Sequence, residues 1–335
     1  MSNKRHLIRL ELMAAATGIL IAIQARANGQ LSHLMKNNIE AALVSFSSGL
    51  VAILVVTAFN PTIRSGITRL REAVKAQSIS RWRLFAGMLG GAAIATQTHT
   101  VPLIGVAVYS VTAIAGQTAI SLFVDKVGLG GGSRQHISPR RVIAAAITVA
   151  AIVISVFDKL QVSTYSAAAV ILSTLAGCVI GIQRALNGSI NVHTGQSYTT
   201  SLLNFIMGTL FLFVFLVVMM VARGDHLYAL PTHPWWIYLG GVTGVIYIAM
   251  ASTVVQHLGV LTFTLFSVGG QLVGSLVLDL VLPTSGASVT GYLVTGIVMT
   301  YIGVIVGGES ALFKKRSSQR WRQRQRREHQ KRSAQ

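Results

Sequence analysis

Ten stretches of about 20 residues run through this sequence with hardly a charge in them, and that leaves a chain few ways to fold. Each is long enough, as a helix, to cross the ~30 Å hydrocarbon core of a bilayer. They cover 10–29, 39–59, 84–101, 103–124, 141–157, 166–188, 199–222, 235–256, 259–281 and 290–308, and only Pro102 and Gly105 separate the third from the fourth. With 52% hydrophobic residues, 11% charged and a mean hydropathy of +0.61, the chain is too apolar for a soluble domain. The expected fold is an all-α integral membrane protein with ten transmembrane helices. The first run follows Lys4, Arg5 and Arg9 and ends in Ala25-Arg26-Ala27, which looks like a secretory leader with a cleavage site. A similar sequence recurs near residue 183, inside the chain, so the segment reads as a retained structural element. The single cysteine, Cys178, excludes intramolecular disulfides and thiolate metal sites.

The net charge of +19 gains meaning from its placement. Cytoplasmic loops accumulate Lys and Arg. With the N-terminus inside, the head, the 60–83 loop, the 125–141 stretch and the tail after Glu309 hold 23 of the 28 basic residues. The outside loops hold Lys36, Lys159 and Arg223, while Arg26 and Arg184 fall within runs. Both termini are expected in the cytoplasm, with the chain crossing its membrane many times. Trp82, Trp235 and Trp236 flank run starts, as an interfacial aromatic belt requires.

The chain also repeats itself. At a lag of 159, Gly18, Gln24, Asn28, Gly29, Phe46 and Gly49 fall on Gly177, Gln183, Asn187, Gly188, Phe205 and Gly208. At a lag of 154, Gly87, Gly90, Gly105, Gly116, Gln117, Ser121 and Asp125 fall on Gly241, Gly244, Gly259, Gly270, Gln271, Ser275 and Asp279. Five runs per unit is an odd number, so the second unit enters the membrane from the opposite side. Two inverted five-helix repeats are expected, at 1–160 and 161–312, followed by a basic cytoplasmic tail at 313–335. Such architecture carries a substrate site near mid-bilayer where the halves meet.

The segments GILIAIQARANG at 18–29 and GIQRALNG at 181–188, the Phe46-x-x-Gly49 and Asn204-Phe205-x-x-Gly208 pairs, and Gly270-Gln271-x-x-x-Ser275 with Asp279 resemble the YdcZ-type family of the drug/metabolite transporter superfamily. Members commonly have one five-helix unit, and this chain resembles two units fused. The resemblance implies an inner-membrane transporter that needs no cofactor.

Several polar residues within the runs are candidates for substrate contact. Gln24 with Asn28, and Gln183 with Asn187, are four apart and project from one helix face. They either hold helices together by hydrogen bonds or reach substrate from both halves, with Asn204 beside them. Arg26 and Arg184 are cations at membrane depth that either snorkel to an interface or attract an anionic or zwitterionic substrate. Gln117 and Gln271, each after a packing glycine, are weaker candidates. Small multidrug pumps of the superfamily carry a proton-coupling glutamate early in the first helix, which makes Glu11 the coupling-ion candidate by resemblance. Asp125 and Asp279 read as helix-end residues, too far apart in inverted halves to form a catalytic pair.

No HExxH, GxSxG, Walker A or dinucleotide fingerprint is present, in keeping with a carrier that performs no covalent chemistry. The expected function is export of a small metabolite or drug-like compound by alternating access, with no metal. A non-transporting scaffold and a membrane-embedded lipid-modifying enzyme are the competing readings. The tail from Lys314 to Arg332 interleaves ten cations with Gln, Ser and Trp321, and so close to a membrane it reads as a ligand for anionic lipid heads rather than for nucleic acid. Having both halves in one chain allows a monomer or a homodimer.

Overall fold

The structure, a computed structural model, describes residues 2–129, 138–157, 164–224, 226–258, 260–284 and 287–306. The basic tail, Arg134, Lys159 and the side chain of Asp125 lie outside the described residues. Every described element is helical: α1 (Ser2–Met35), α2 (Asn38–Phe59), α3 (Pro61–Lys75), α4 (Ala86–Ile104), α5 (Val106–Val127), α6 (Pro139–Ser155), α7 (Thr164–Thr194), α8 (Ser197–Arg223), α9 (Leu239–Leu258), α10 (Val260–Val281) and α11 (Gly291–Val306). Short 3-10 turns at Arg81–Phe85 and Trp235–Tyr238 lead into α4 and α9. Six helices are long and apolar enough to cross a membrane: α1, α2, α5, α7, α8 and α10. Helices are what lipid demands, because each backbone group is satisfied within its own segment.

Each apolar run coincides with a helix, though α1 and α7 extend beyond the runs at 10–29 and 166–188 because their polar ends continue the helix. The hairpin at Pro102 and Gly105 falls where expected. Gly105 has φ +83° and ends α4, so α5 starts immediately after it.

One expectation needs correction. The 60–83 segment, read as a basic loop, contains the amphipathic helix α3. Asn60 accepts from the Thr62 amide, Pro61 occupies the first turn, and Ile63, Ile67, Leu70 and Val74 recur at helical spacing. That stripe packs on α7, α8 and the start of α4, while Arg64, Arg69, Arg71 and Lys75 stay exposed. The high charge density hid the apolar period.

The packing centres on two long helices. α1 lies against α2, α4, α9 and α10, and α7 lies against α4 and α5. Between them α2 crosses α8, where the Phe46 and Phe205 rings meet at 5.5 Å. The methyl that Gly49 lacks would strike Phe205, and the methyl that Gly208 lacks would strike Phe46. Small residues set the remaining approaches: Gly18 against Ser267 and Gln271, Gly270 against Ala15, Gly116 against Thr174, and Gly177 against Ala113. The outward faces carry exposed Val51, Leu54 and Val55 on α2, and Phe213, Val214, Val217 and Val221 on α8. Apolar surface on this scale is what a helix shows to lipid.

Candidate functional site

The polar side chains inside the helices gather on two seams, one along α1 and one along α7. On α1, Asn28 is fully buried and donates from Nδ2 to Gln97 Oε1 of α4 at 2.9 Å. Its Oδ1 abuts the backbone at Gly240 of α9, where any Cβ would collide with it. One turn earlier Gln24 is half-buried and lies beside Gly244. The Tyr109 hydroxyl of α5 is enclosed and turned toward the same Gln97. Gly29 lets α1 touch Val101 and Pro102 of α4. These contacts bring α1 and α4 together around one amide pair.

On α7, Gln183 is half-buried with its amide against Gly90 of α4, the same arrangement as Gln24 against Gly244. Asn187 and Asn204 are half-buried, and the Oδ1 of each is enclosed without a hydrogen-bond partner. The Asn204 backbone supports Gly87, as the Ser45 backbone supports Gly241. Gln117 spends its Nε2 on the Ala113 carbonyl of its own helix at 3.1 Å, and Gln271 is buried beside Gly18. Glu11 is half-buried near the start of α1.

The two arginines, alike in sequence, occupy different surroundings. Arg26 is 6% exposed. Its Nε donates to the Leu282 carbonyl at 2.9 Å, its Nη1 to Gln30 Oε1 at 2.8 Å, and the guanidinium sits 5.4 Å from the Trp236 ring. The Asp279 carboxylate lies within electrostatic reach of it. Asp279 also accepts from the Val106 amide at 3.0 Å and the Ala107 amide at 2.7 Å, capping α5. Arg26 is therefore an anchor between α1 and the end of α10. Arg184 is exposed, with no hydrogen bond or ion pair among the described residues. Gln97, Tyr109, Gln30 and Trp236 were not singled out as partners in the sequence. Gln97 alone carried a signal, as an isolated amide at membrane depth.

Replacing Gln97 by leucine removes the acceptor of a fully enclosed Asn28 donor. A loss of about 1–3 kcal/mol is expected, read as a lower Tm in detergent, with Gln97→Glu recovering part of it. An unchanged Tm in Gln97→Leu would deny the pair a structural role.

A family profile described as "Putative inner membrane exporter, YdcZ" matches the chain in two segments, residues 10–154 and 168–306. The chain belongs to this YdcZ family. The two segments fall one in each half, the pattern of two YdcZ units fused in one polypeptide. A solved crystal structure covers 92% of this chain and 96% of its own, with a TM-score of 0.52 at 13% identity, a likeness that speaks for the fold alone. No curated protein matches at a significant level. As a YdcZ-family protein with six helices suited to membrane crossing, the chain is a multi-pass inner-membrane transporter.

Proposed function

We propose that this YdcZ-family protein is a ten-span secondary exporter of a small organic solute, built from two inverted halves at 1–160 and 161–312 that alternate access to a central site. The observation that supports a two-fold relation of the halves best is the reciprocity of the contacts, and five spans per half, an odd number, makes that relation inverted in this reading. Gly49 meets Phe205 while Gly208 meets Phe46, and Gln24 meets Gly244 while Gln183 meets Gly90. A two-fold relation between the halves generates pairs of this kind. The basic loops and the exposed cations of α3 favour cytoplasmic termini.

In this reading the half-buried Gln24, Gln183, Asn187 and Asn204 face the solute. Asn28 holds the wall that they stand on. Rocking of the halves carries the solute across, and no covalent step is required of any side chain. Glu11, at the cytoplasmic end of α1, is the proposed proton carrier.

The test is metabolite profiling of cells and medium for wild type, a deletion strain and a Gln183→Ala, Asn187→Ala double variant at matched expression and with wild-type elution in detergent. A compound that accumulates in the deletion strain and in the variant, with efflux reduced about tenfold or more, identifies the cargo and the site together. Wild-type efflux in the double variant would overturn the site. Removing residues 314–335 is expected to leave efflux unchanged, and loss of activity there would favour a tail-centred scaffold.

A further inference from the structure

We propose that the flank of α3 carrying Arg64, Arg71 and Lys75 is a docking surface for the phosphate groups of anionic phospholipids, in the leaflet on its own side of the membrane. The proposal rests on α2 crossing the bilayer and not on export, and it stands apart from the basic tail.

The inference starts from the way α3 divides its cations. At about 100° per residue, Arg64, Arg71 and Lys75 fall within about 40° of one another, while Arg69 lies about 140° round the helix from Arg64. The Arg69 side faces the turn between α7 and α8. There Gln196 donates from Nε2 to Thr62 Oγ1 at 3.0 Å, Thr199 donates from Oγ1 to the Ile63 carbonyl at 3.0 Å, and a Cβ on Gly195 would lie 3.4 Å from Arg69 Nη1. The opposite side begins at the edge of the lipid. On α2 the exposed apolar stripe of Val51, Leu54 and Val55 runs out at Ala58 and Phe59, and Arg64 donates to the Ala58 carbonyl. The first cation of this flank therefore stands where acyl chains give way to headgroups.

The same depth holds along the helix. Phe59, just before α3, is 85% exposed, and Trp82 and Phe85, between α3 and α4, are 51% and 50% exposed. Exposed aromatics at both ends are the mark of the interfacial layer. An ordinary interfacial helix attaches by sinking its apolar face into the acyl chains. In α3 that face is occupied by protein: Ile63 is fully buried, and Leu70, Ala73 and Val74 pack with Ile79, Leu186 and Ile190. What remains for the membrane is charge. Glu72, the acid of α3, projects between the two flanks, about 80° from Arg64. The helices packed on α3 set no carboxylate beside the flank, since α7 and α8 have none and Glu40 stands in the first turn of α2, at its far end. Exposed cations at headgroup depth attract anionic lipid. A lipid held there braces α3 from the side opposite its bonds to the α7–α8 turn.

The experiment reads lipid at the flank and requires no flux. In the full chain with Cys178→Ser, Thr68→Cys places a single thiol between Arg64 and Arg71, and a fluorophore is attached to it. Phosphatidylglycerol and phosphatidylcholine, each with a nitroxide near the top of one acyl chain, are compared as quenchers at equal mole fraction in phosphatidylcholine liposomes. Phosphatidylglycerol is expected to associate about fivefold or more tightly than phosphatidylcholine. That preference should vanish in an Arg64→Gln, Arg71→Gln, Lys75→Gln variant. It should survive in Arg64→Lys, Arg71→Lys, and in Lys314→Gln, Lys315→Gln, Arg316→Gln of the tail. Equal quenching by the two lipids, or a preference that outlives the triple glutamine variant, would overturn the proposal. So would a preference lost with the tail cations instead, or one abolished by inorganic phosphate at constant ionic strength, which would mark a site for free anions. If the triple variant elutes as an aggregate, Arg71→Gln, Lys75→Gln serves in its place, with a drop of at least twofold expected and an unchanged preference counting against the flank. Export plays no part in the readout, so failure of the export reading and failure of the lipid surface are told apart.

Discussion

Asp279→Ala is expected to lower stability by about 3–5 kcal/mol, the range for removing one partner of a buried charge pair. The carboxylate is 4% exposed and performs two tasks at once. It takes the Val106 and Ala107 amides, two of the groups that the first turn of α5 cannot satisfy internally. It also faces Arg26, which is buried against the end of α10. Alanine leaves two amides unpaired and a guanidinium without its counter-charge. The site has no slack to re-form, because Gly105 has φ +83° and a Cβ there would lie 2.8 Å from the carboxylate. Asp279→Asn keeps one carbonyl acceptor and should cost less than alanine. Arg26→Met should also cost less, since Asp279 retains both amides. Melting of purified protein in one detergent reads the series, with a drop on the order of 10 °C for alanine. A Tm within about 2 °C of wild type would remove Asp279 from the architecture.

The helices, the hairpin at Gly105 and the duplication were legible because they are local or periodic. A run of apolar residues declares its own helix, and glycines recurring at fixed lags mark where backbones must touch. Asp279 could be read as a helix-end residue from its position. That it caps a helix in the other half could not, because α5 and α10 are far apart in sequence. The arginines make the same point. Arg26 and Arg184 both looked like cations at membrane depth, and only three-dimensional neighbours separate an anchored one from an open one. Asn28 and Asn187 share a motif, yet one is paired with Gln97 and the other is not, since Gln97 is replaced by Ala251 in the second half. α3 was missed for a different reason: its charges dominate the composition, and its four apolar positions register only once helical spacing is imposed.

The largest packing effect is expected at the glycine seams, where Gly116→Leu and Gly270→Leu should each cost more than about 4 kcal/mol and deplete monodisperse protein. Leucine is the better helix former by close to 1 kcal/mol, so propensity alone predicts a gain. Packing reverses the sign. A Cβ on Gly270 would strike the Ala15 carbonyl and lie within 2.9 Å of its Cα. On Gly116 it would strike the Thr174 carbonyl and lie 3.1 Å from the Cys178 nitrogen. These obstacles are backbone atoms of a facing helix, which cannot rotate away as a side chain would, so the helices must separate along their length. Gly291 provides the control, because nothing lies within 4 Å of its missing Cβ and leucine there should leave elution and Tm unchanged. Ala15 and Thr174 are related by the 159-residue lag, and Gly270 and Gly116 by the 154-residue lag. If the halves are built alike, the two substitutions act on one contact made twice and should be similarly damaging. A chain that tolerates Gly116→Leu but loses its fold with Gly270→Leu would place the structural burden on the α1–α10 seam, and the symmetric account would fail.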